Sequence, residues 1–317
     1  MPLKIGDLDF KAKPPRLPAS VPVFELHAPS LEERREGLAQ LADYLKLGNL
    51  RAVNVDHGTI LAGENGEIEY FHASGAVWAR DATAVQAGGN ELRKWGGLKK
   101  AKTGGNRMSL NVDASRRLIG QARELLEATG LIGKEVASEA IQLDQVARLN
   151  AKGQEVAHGA GQATVKFLYA VEGVPVFGAG AKTLAFAEPA GMAGAFHAWR
   201  RIGRSTPVKL GSVEAGLALG LLTDPELDRY RAAGHKIQIT RIDFGYLALP
   251  AFMRQSHLFP AFQIEGTVSK GKRGEAFAFG RFHHAAAPKA YAAADVYGPH
   301  LSVNPDGIAP RSKAVKR

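Results

Sequence analysis

Two groups of side chains are of the types that acid–base chemistry needs. One is His257 with Asp243 and Tyr246; the other is His72 with Glu67, Glu69 and Arg80. Each offers an imidazole, a residue type that titrates near neutrality, with a carboxylate to orient it and a phenol or guanidinium to donate. Such a site would be metal-independent and would act on a small organic substrate. Nothing in their spacing brings either group together. Arg241 and Asp243 stand two apart, so on a strand they share a face and can pair. His283 and His284 are adjacent, so on a strand they point to opposite faces and do not share a metal. No metal ligands are assigned and no cofactor is expected.

Other signatures are absent or broken. The 317 residues contain no cysteine, which excludes disulfides, thiolate ligands and cysteine nucleophiles. There is no Gly-x-Ser-x-Gly elbow, no His-Glu-x-x-His pair and no acidic calcium loop. The string GAGAKT at 178–183 has the look of a phosphate cradle. A phosphate loop requires glycine directly before the lysine and a helix after it; position 181 is alanine, and LAFAEPAG reads as strand. The glycines read instead as a bulge or a close backbone approach, and Lys182 as a charge guarding an edge strand. Ligand contacts are expected from Trp199, Arg200, Arg241 and Gln255.

The net charge of +10 favours anionic surfaces. Part of it lies in RKWGGLKKAKTGGNR (93–107), whose Lys99, Lys100, Lys102 and Arg107 form a candidate basic patch. The only aromatic there is Trp95, few for a nucleic-acid platform that stacks bases. Such Gly-rich basic stretches read first as solvated linker.

The elements that must position these residues follow a recurring order. Residues 1–20 are a proline-rich extended segment. A first unit, 21–86, opens with the strand VPVFELH and a helix from Leu31, capped by Ser30 with Glu33 three residues on. Four short strands follow: RAVNV, TILAG, EIEYFHA and AVWAR. Residues 87–107 are the basic linker. A second unit, 108–203, has a helix near 113–129 with an Asp113 cap and a Gly130 stop, then strands that include EVASEAIQLDQVARLNA and ATVKFLYAV. A third unit, 204–286, has a short helix near 212–222 and three strands, and 287–317 is a basic tail. Helix followed by meander, repeated, predicts α+β with antiparallel sheets rather than a Rossmann-type fold.

The string YAVEGVPVFGAGAKTLAFAEPAGMAGAF (169–196) resembles the PepSY and related propeptide domains of thermolysin-type and fungalysin-type proteases. They share its strand, its Gly-hydrophobic-Pro-Val-Phe-Gly step and its turn ending in glycine. The run IDFGYLALPAFMRQSHLFPAFQIEGTV is similar to the last strands of the extracytoplasmic regulators YycH and YycI. The resemblance implies tandem cystatin-like units, each one helix on a curved antiparallel sheet. It also implies binding, inhibition or regulation rather than chemistry. No protease motif follows the module in these residues, so inhibition of an attached protease is not expected.

The expected function is therefore non-catalytic recognition of a peptide, protein or polymer through sheet surfaces. Two alternatives stand beside it: the acid–base enzyme described above, and a basic protein docking on nucleic acid or acidic glycan. No apolar run approaches the roughly 18 to 20 residues that span a bilayer. The N-terminus lacks a signal-like apolar core, which reads as cytoplasmic; the resemblance implies an extracytoplasmic setting if a leader has been removed.

Overall fold

The computed structural model describes residues 5–86, 92–100, 108–212, 220–222, 224–270 and 276–285. Most of the helix expected near 212–222 lies outside these residues, as do Lys102, Arg107 and the basic tail. The chain is mixed α+β and mostly strand. It forms two compact units, each assembled from separate stretches of sequence. The central unit is Ala28–Ala170 with Lys182–Arg201; the terminal unit is Met1–His27, Val171–Ala181 and Ile202–Arg317.

In chain order, β1 (Leu8–Phe10) and β2 (Ser20–His27) come first and belong to the terminal unit. The central unit opens with α1 (Leu31–Tyr44), which starts as its sequence dictates. Ser30 Oγ accepts the Glu33 N–H at 3.2 Å, and the Glu33 carboxylate accepts the Ser30 N–H at 2.7 Å, so two orphan donors are satisfied. The meander follows as read: β3 (Arg51–Val55), β4 (Gly58–Ala62), β5 (Gly66–Phe71) and β6 (Ala76–Asp81). After α2 (Ala82–Gln86), a small hairpin pairs β7 (Leu98–Lys100) with β8 (Met108–Leu110). Helix α3 (Val112–Ala128) is capped by Asn111, whose Oδ1 accepts the Ala114 N–H at 2.8 Å, and not by Asp113. Gly130 ends it in the left-handed region, φ +63°.

Long strands β9 (Val136–Leu149) and β10 (Glu155–Val171) come next. The chain turns at Glu172-Gly173, both at positive φ, into β11 (Val174–Phe177) of the terminal unit. It returns as β12 (Lys182–Glu188) and β13 (Gly191–His197). The central sheet runs β9-β10-β12-β13-β6-β5-β4-β3 with antiparallel neighbours throughout. Helices α1 and α3 cover one face. Leu38, Leu41, Leu118 and Leu125 pack there with Ile68, Val77, Val165 and Phe167 of the sheet. On β10 every second residue from Val165 to Val171 is buried, the period-2 pattern of a sheet with one packed face. Gly37 lets α1 pass the end of α3, since a Cβ there would lie 2.2 Å from Thr129 O.

Part of the expected linker is built into this unit. The Arg93 N–H donates to Ala160 O at 2.8 Å, and its guanidinium meets the buried Glu188 at 2.8 Å. Trp95 Nε1 donates to Gly161 O at 2.7 Å, so its indole is anchored to the protein rather than held out for bases. Glycine content argued for a loose segment; the specific partners of Arg93 and Trp95 outweigh it.

The terminal unit continues with β14 (Arg201–Lys209), α4 (Pro225–Ala232), β15 (Lys236–Leu247), β16 (His257–Ser269) and β17 (Ala276–His284). Its strands run β14-β2-β16-β15-β11, with β17 antiparallel on β16 and β1 parallel on β15. Strand β11 is also parallel to β15, so this sheet is mixed. Leu227 of α4 packs with Ile237, Ile239 and Phe262. Three consecutive units were expected, yet β2 pairs with β16 and β1 with β15, more than 200 residues downstream. A local pattern marks a strand but carries no information about so distant a partner.

The GAGAKT glycines serve backbone approach. Gly178 has φ +90°, and a Cβ on Gly180 would lie 2.1 Å from Leu249 O. The Gly180 N–H donates to Ala248 O at 3.2 Å. Lys182 is not on an edge, because β12 lies between β10 and β13. Gly180→Val is expected to lower stability by about 1–3 kcal/mol through forced separation of these backbones. A urea melt is the check, and an unchanged midpoint would show that the approach is not needed.

Candidate functional site

The structure separates both acid–base groups. On β15, Asp243 and Tyr246 lie three residues apart and so face opposite sides. Asp243 is held by Arg241, Nε to Oδ2 2.6 Å, the pairing read from their spacing. The Tyr246 hydroxyl donates to Pro22 O at 2.8 Å, and burial pushes its pKa up, which makes it a still weaker acid. His257 contacts Ser256 and lies tilted against Phe259, ring centroids 5.6 Å apart. In the second group, Glu69 pairs with His57 at 2.5 Å and Arg80 with Glu67 at 2.9 Å on one face of the sheet. His72 is on the other face, 3.0 Å from Thr59 Oγ1.

The expected ligand contacts are mostly structural. Gln255 is buried and ties three backbone groups, bonding the Leu249 N–H, Leu247 O and His257 O. Arg200 is 1% exposed. Trp199 is buried, stacked on Tyr169 at 4.6 Å, with Nε1 donating to Glu135 at 3.2 Å. Arg241 alone of the four is exposed. Lys99 and Lys100 are exposed on β7. Among the described residues no three His, Cys, Asp or Glu side chains cluster as metal ligands, and no helix is long and apolar enough to cross a membrane.

Tyr169 belongs to a polar network inside the central unit. Its hydroxyl meets Thr183 Oγ1 at 2.7 Å, and Thr183 meets His197 Nδ1 at 2.9 Å. Burial, reinforced by the Arg34 charge, holds the His197 pKa well below its ordinary value against backbone hydrogen bonds with Trp199 and Leu131. Burial, with the Arg201 charge, lowers Arg34 to about 10 while it donates to Gly130 O at 3.0 Å. Burial also raises the Tyr169 pKa. At neutral pH the network is a set of uncharged hydrogen-bonding groups near Arg34 and Glu135, and its bonds join β10, β12 and β13 to each other.

What the sheet leaves open lies at its other end. Strand β3 is last in the order, and among the described residues it pairs only with β4. Natural edges are guarded by lysine, proline or bulges. Here Arg51 is the one charge in RAVNV, the register is regular, and residues 51–54 are all exposed. Ala52 lies opposite Leu61, which lies opposite the core residue Ile68, so Ala52 and Asn54 face the helix side. On that side a cleft of about 510 Å³ opens, lined by Leu31, Leu38 and Ala39 of α1 with Leu50 and Leu61. Glu32 and Arg35 complete its lining and pair with each other. Further along the same face, Thr59 Oγ1 donates to Asn54 Oδ1 at 3.1 Å. Thr59 has one proton, so it accepts from His72 Nε2–H.

These residues were read from sequence as ordinary core and meander. Their spacing is that of any packed helix and strand; what makes them a site is that, among the described residues, no strand lies beyond β3. The one signal available was an unguarded strand with a small residue, Ala52, at its helix-facing centre.

No family model matches this chain, and no curated protein matches it. A solved structure similar to it is that of an uncharacterized protein from Eubacterium rectale, with a TM-score of 0.51, 10% identity and 89% of each chain covered. At that identity the likeness is one of fold.

Proposed function

We propose that this chain is a non-catalytic recognition protein that takes an extended peptide segment as an added strand along β3. The observation that carries this reading is the coincidence of an edge strand whose one charge is Arg51 with a neighbouring apolar cleft, lined by Leu50 just before that strand and by Leu61, the cross-strand partner of Ala52. Strand addition uses both: main-chain hydrogen bonds supply affinity, and pockets for alternate side chains supply specificity. The resemblance of residues 169–196 to PepSY-type propeptide modules points the same way, as does a cystatin-like reading of the central unit, with α1 laid on an antiparallel meander. The separated acid–base groups give the enzyme reading no matching geometry.

Selection of displayed random peptides on the chain tests the proposal. Enriched peptides are expected to slow amide exchange across residues 51–55. They are also expected to lose at least about ten-fold in affinity against Ala39→Trp, whose indole fills the cleft, given the worth of one buried apolar side chain. Ala39 is exposed, so the fold is expected to tolerate the change, which a circular dichroism melt checks. Absence of any enriched peptide, or binding indifferent to Ala39→Trp, would overturn it.

A further inference from the structure

Resting on that reading, we infer the side-chain code of the segment: an aliphatic residue and a hydrogen-bond acceptor, two positions apart. Side chains of an added strand alternate between faces, so of its residues opposite β3 only those facing Ala52 and Asn54 project to the helix side. The residue opposite Ala52 projects to the side on which Leu61, the cross-strand partner of Ala52, and Leu50 line the cleft with Leu31 and Leu38, and a long side chain there reaches toward it. Five of its seven lining residues are Leu or Ala, and the exposed Glu32 and Arg35 pair with each other, so an aliphatic side chain fits best.

Two places along, the residue opposite Asn54 meets different chemistry. Thr59 takes the Asn54 carbonyl oxygen, which leaves the Asn54 amide nitrogen as the donor for a partner. A hydroxyl, amide or carboxylate oxygen satisfies it; a purely apolar residue leaves it unpaired. On the opposite face, Arg51 and Val53 are exposed and make the intervening position permissive.

The same geometry argues against a second copy as the occupant. Two β3 strands pairing antiparallel about Val53 would set Ala52 against Asn54 of the other copy. Each would then bring only alanine and asparagine to the helix side, too small to fill a cleft of about 510 Å³. A foreign segment with a larger residue at that place fills it.

The test uses fluorescein-labelled heptapeptides with the central triplet Leu-Val-Thr, or its reverse Thr-Val-Leu, in a Thr/Val/Lys context, read by fluorescence anisotropy. One order is expected to bind, and it reports the strand direction. Leu→Ala in that peptide is expected to weaken binding roughly ten-fold or more, following the area it buries. Thr→Val, which keeps the shape and removes the acceptor, is expected to weaken it several-fold. With the Asn54→Ala protein the Thr/Val preference is expected to disappear while the Leu/Ala preference remains. A Leu/Ala preference that is absent, or a Thr/Val preference unmoved by Asn54→Ala, overturns the code. If neither heptapeptide binds but a library peptide does so in an Ala39→Trp-sensitive manner, the code fails and the strand-addition reading stands. If both fail, both fall. A concentration-dependent dimer that Ala39→Trp abolishes would instead make a second copy the occupant.

Discussion

Asp224→Ala is expected to destabilise the terminal unit by about 3–5 kcal/mol, the range for breaking one side of a buried ion pair. Asp224 does two jobs from a site that is 2% exposed. Its Oδ1 accepts the N–H groups of Glu226 at 2.8 Å and Leu227 at 3.1 Å, capping α4 with Pro225 at the first helical position. Its Oδ2 accepts Arg281 Nε at 2.6 Å, and Arg281 is buried in β17. The alanine variant removes the cap and leaves Arg281 with Glu226, 2.6 Å from Nη2, on the solvent side. Burial alone would push the Asp224 pKa up; the Arg281 guanidinium and the two backbone donors outweigh it and hold it below the carboxylate norm. The group therefore stabilises at neutral pH, and that contribution fades as pH falls below about 4. Asp224→Asn keeps a capping oxygen without the charge and is expected to fall between wild type and alanine. Urea midpoints decide it, and equal losses below about 1 kcal/mol for both variants would show that the pair is not what holds α4.

Stability is also expected to fall with acid well before the carboxylates titrate. His197 is neutral in the folded chain, because burial first and the Arg34 charge second disfavour its cation. Unfolding frees it to protonate below its ordinary value near 6.5. The unfolded chain then binds the extra proton, so stability is full above about pH 6.5 and declines as pH drops, by up to about 1.4 kcal/mol per unit. His197→Phe loses the Thr183 hydrogen bond and is expected to be less stable at pH 7.5, yet its midpoint should change little between pH 7 and 5. Parallel slopes for wild type and variant would show that His197 is not the acid-sensitive group.

Elements were legible in the sequence where local chemistry decides them. Ser30 and Glu33 announced α1, the alternation Val165-Phe167-Tyr169-Val171 announced the packed face of β10, and Gly130 announced the end of α3. One helix was missed although its signals were present: Asp224-Pro225 opens α4 and Gly234 closes it at φ +78°. The candidate site was far less legible. Trp199 and Gln255 have the composition of a ligand contact, yet they are buried in hydrogen bonds whose partners are distant in sequence or are backbone atoms without a residue signature. Ala52 and Leu61 look like packing residues, and only the strand order makes them a rim.

The interleaving of the two units has a consequence for synthesis. Everything the central unit needs has been translated once residue 201 leaves the ribosome, whereas β1 must wait for β15, and β2 for β14 and β16. Until β14 emerges directly after the central unit, the first segment is a strand without a ladder. Its prolines at 14, 15 and 18 suit that interval, because they cannot extend a helix and pair poorly with a passing edge. The central unit is thus poised to fold early, and the terminal unit can close only once β15 to β17 have been made.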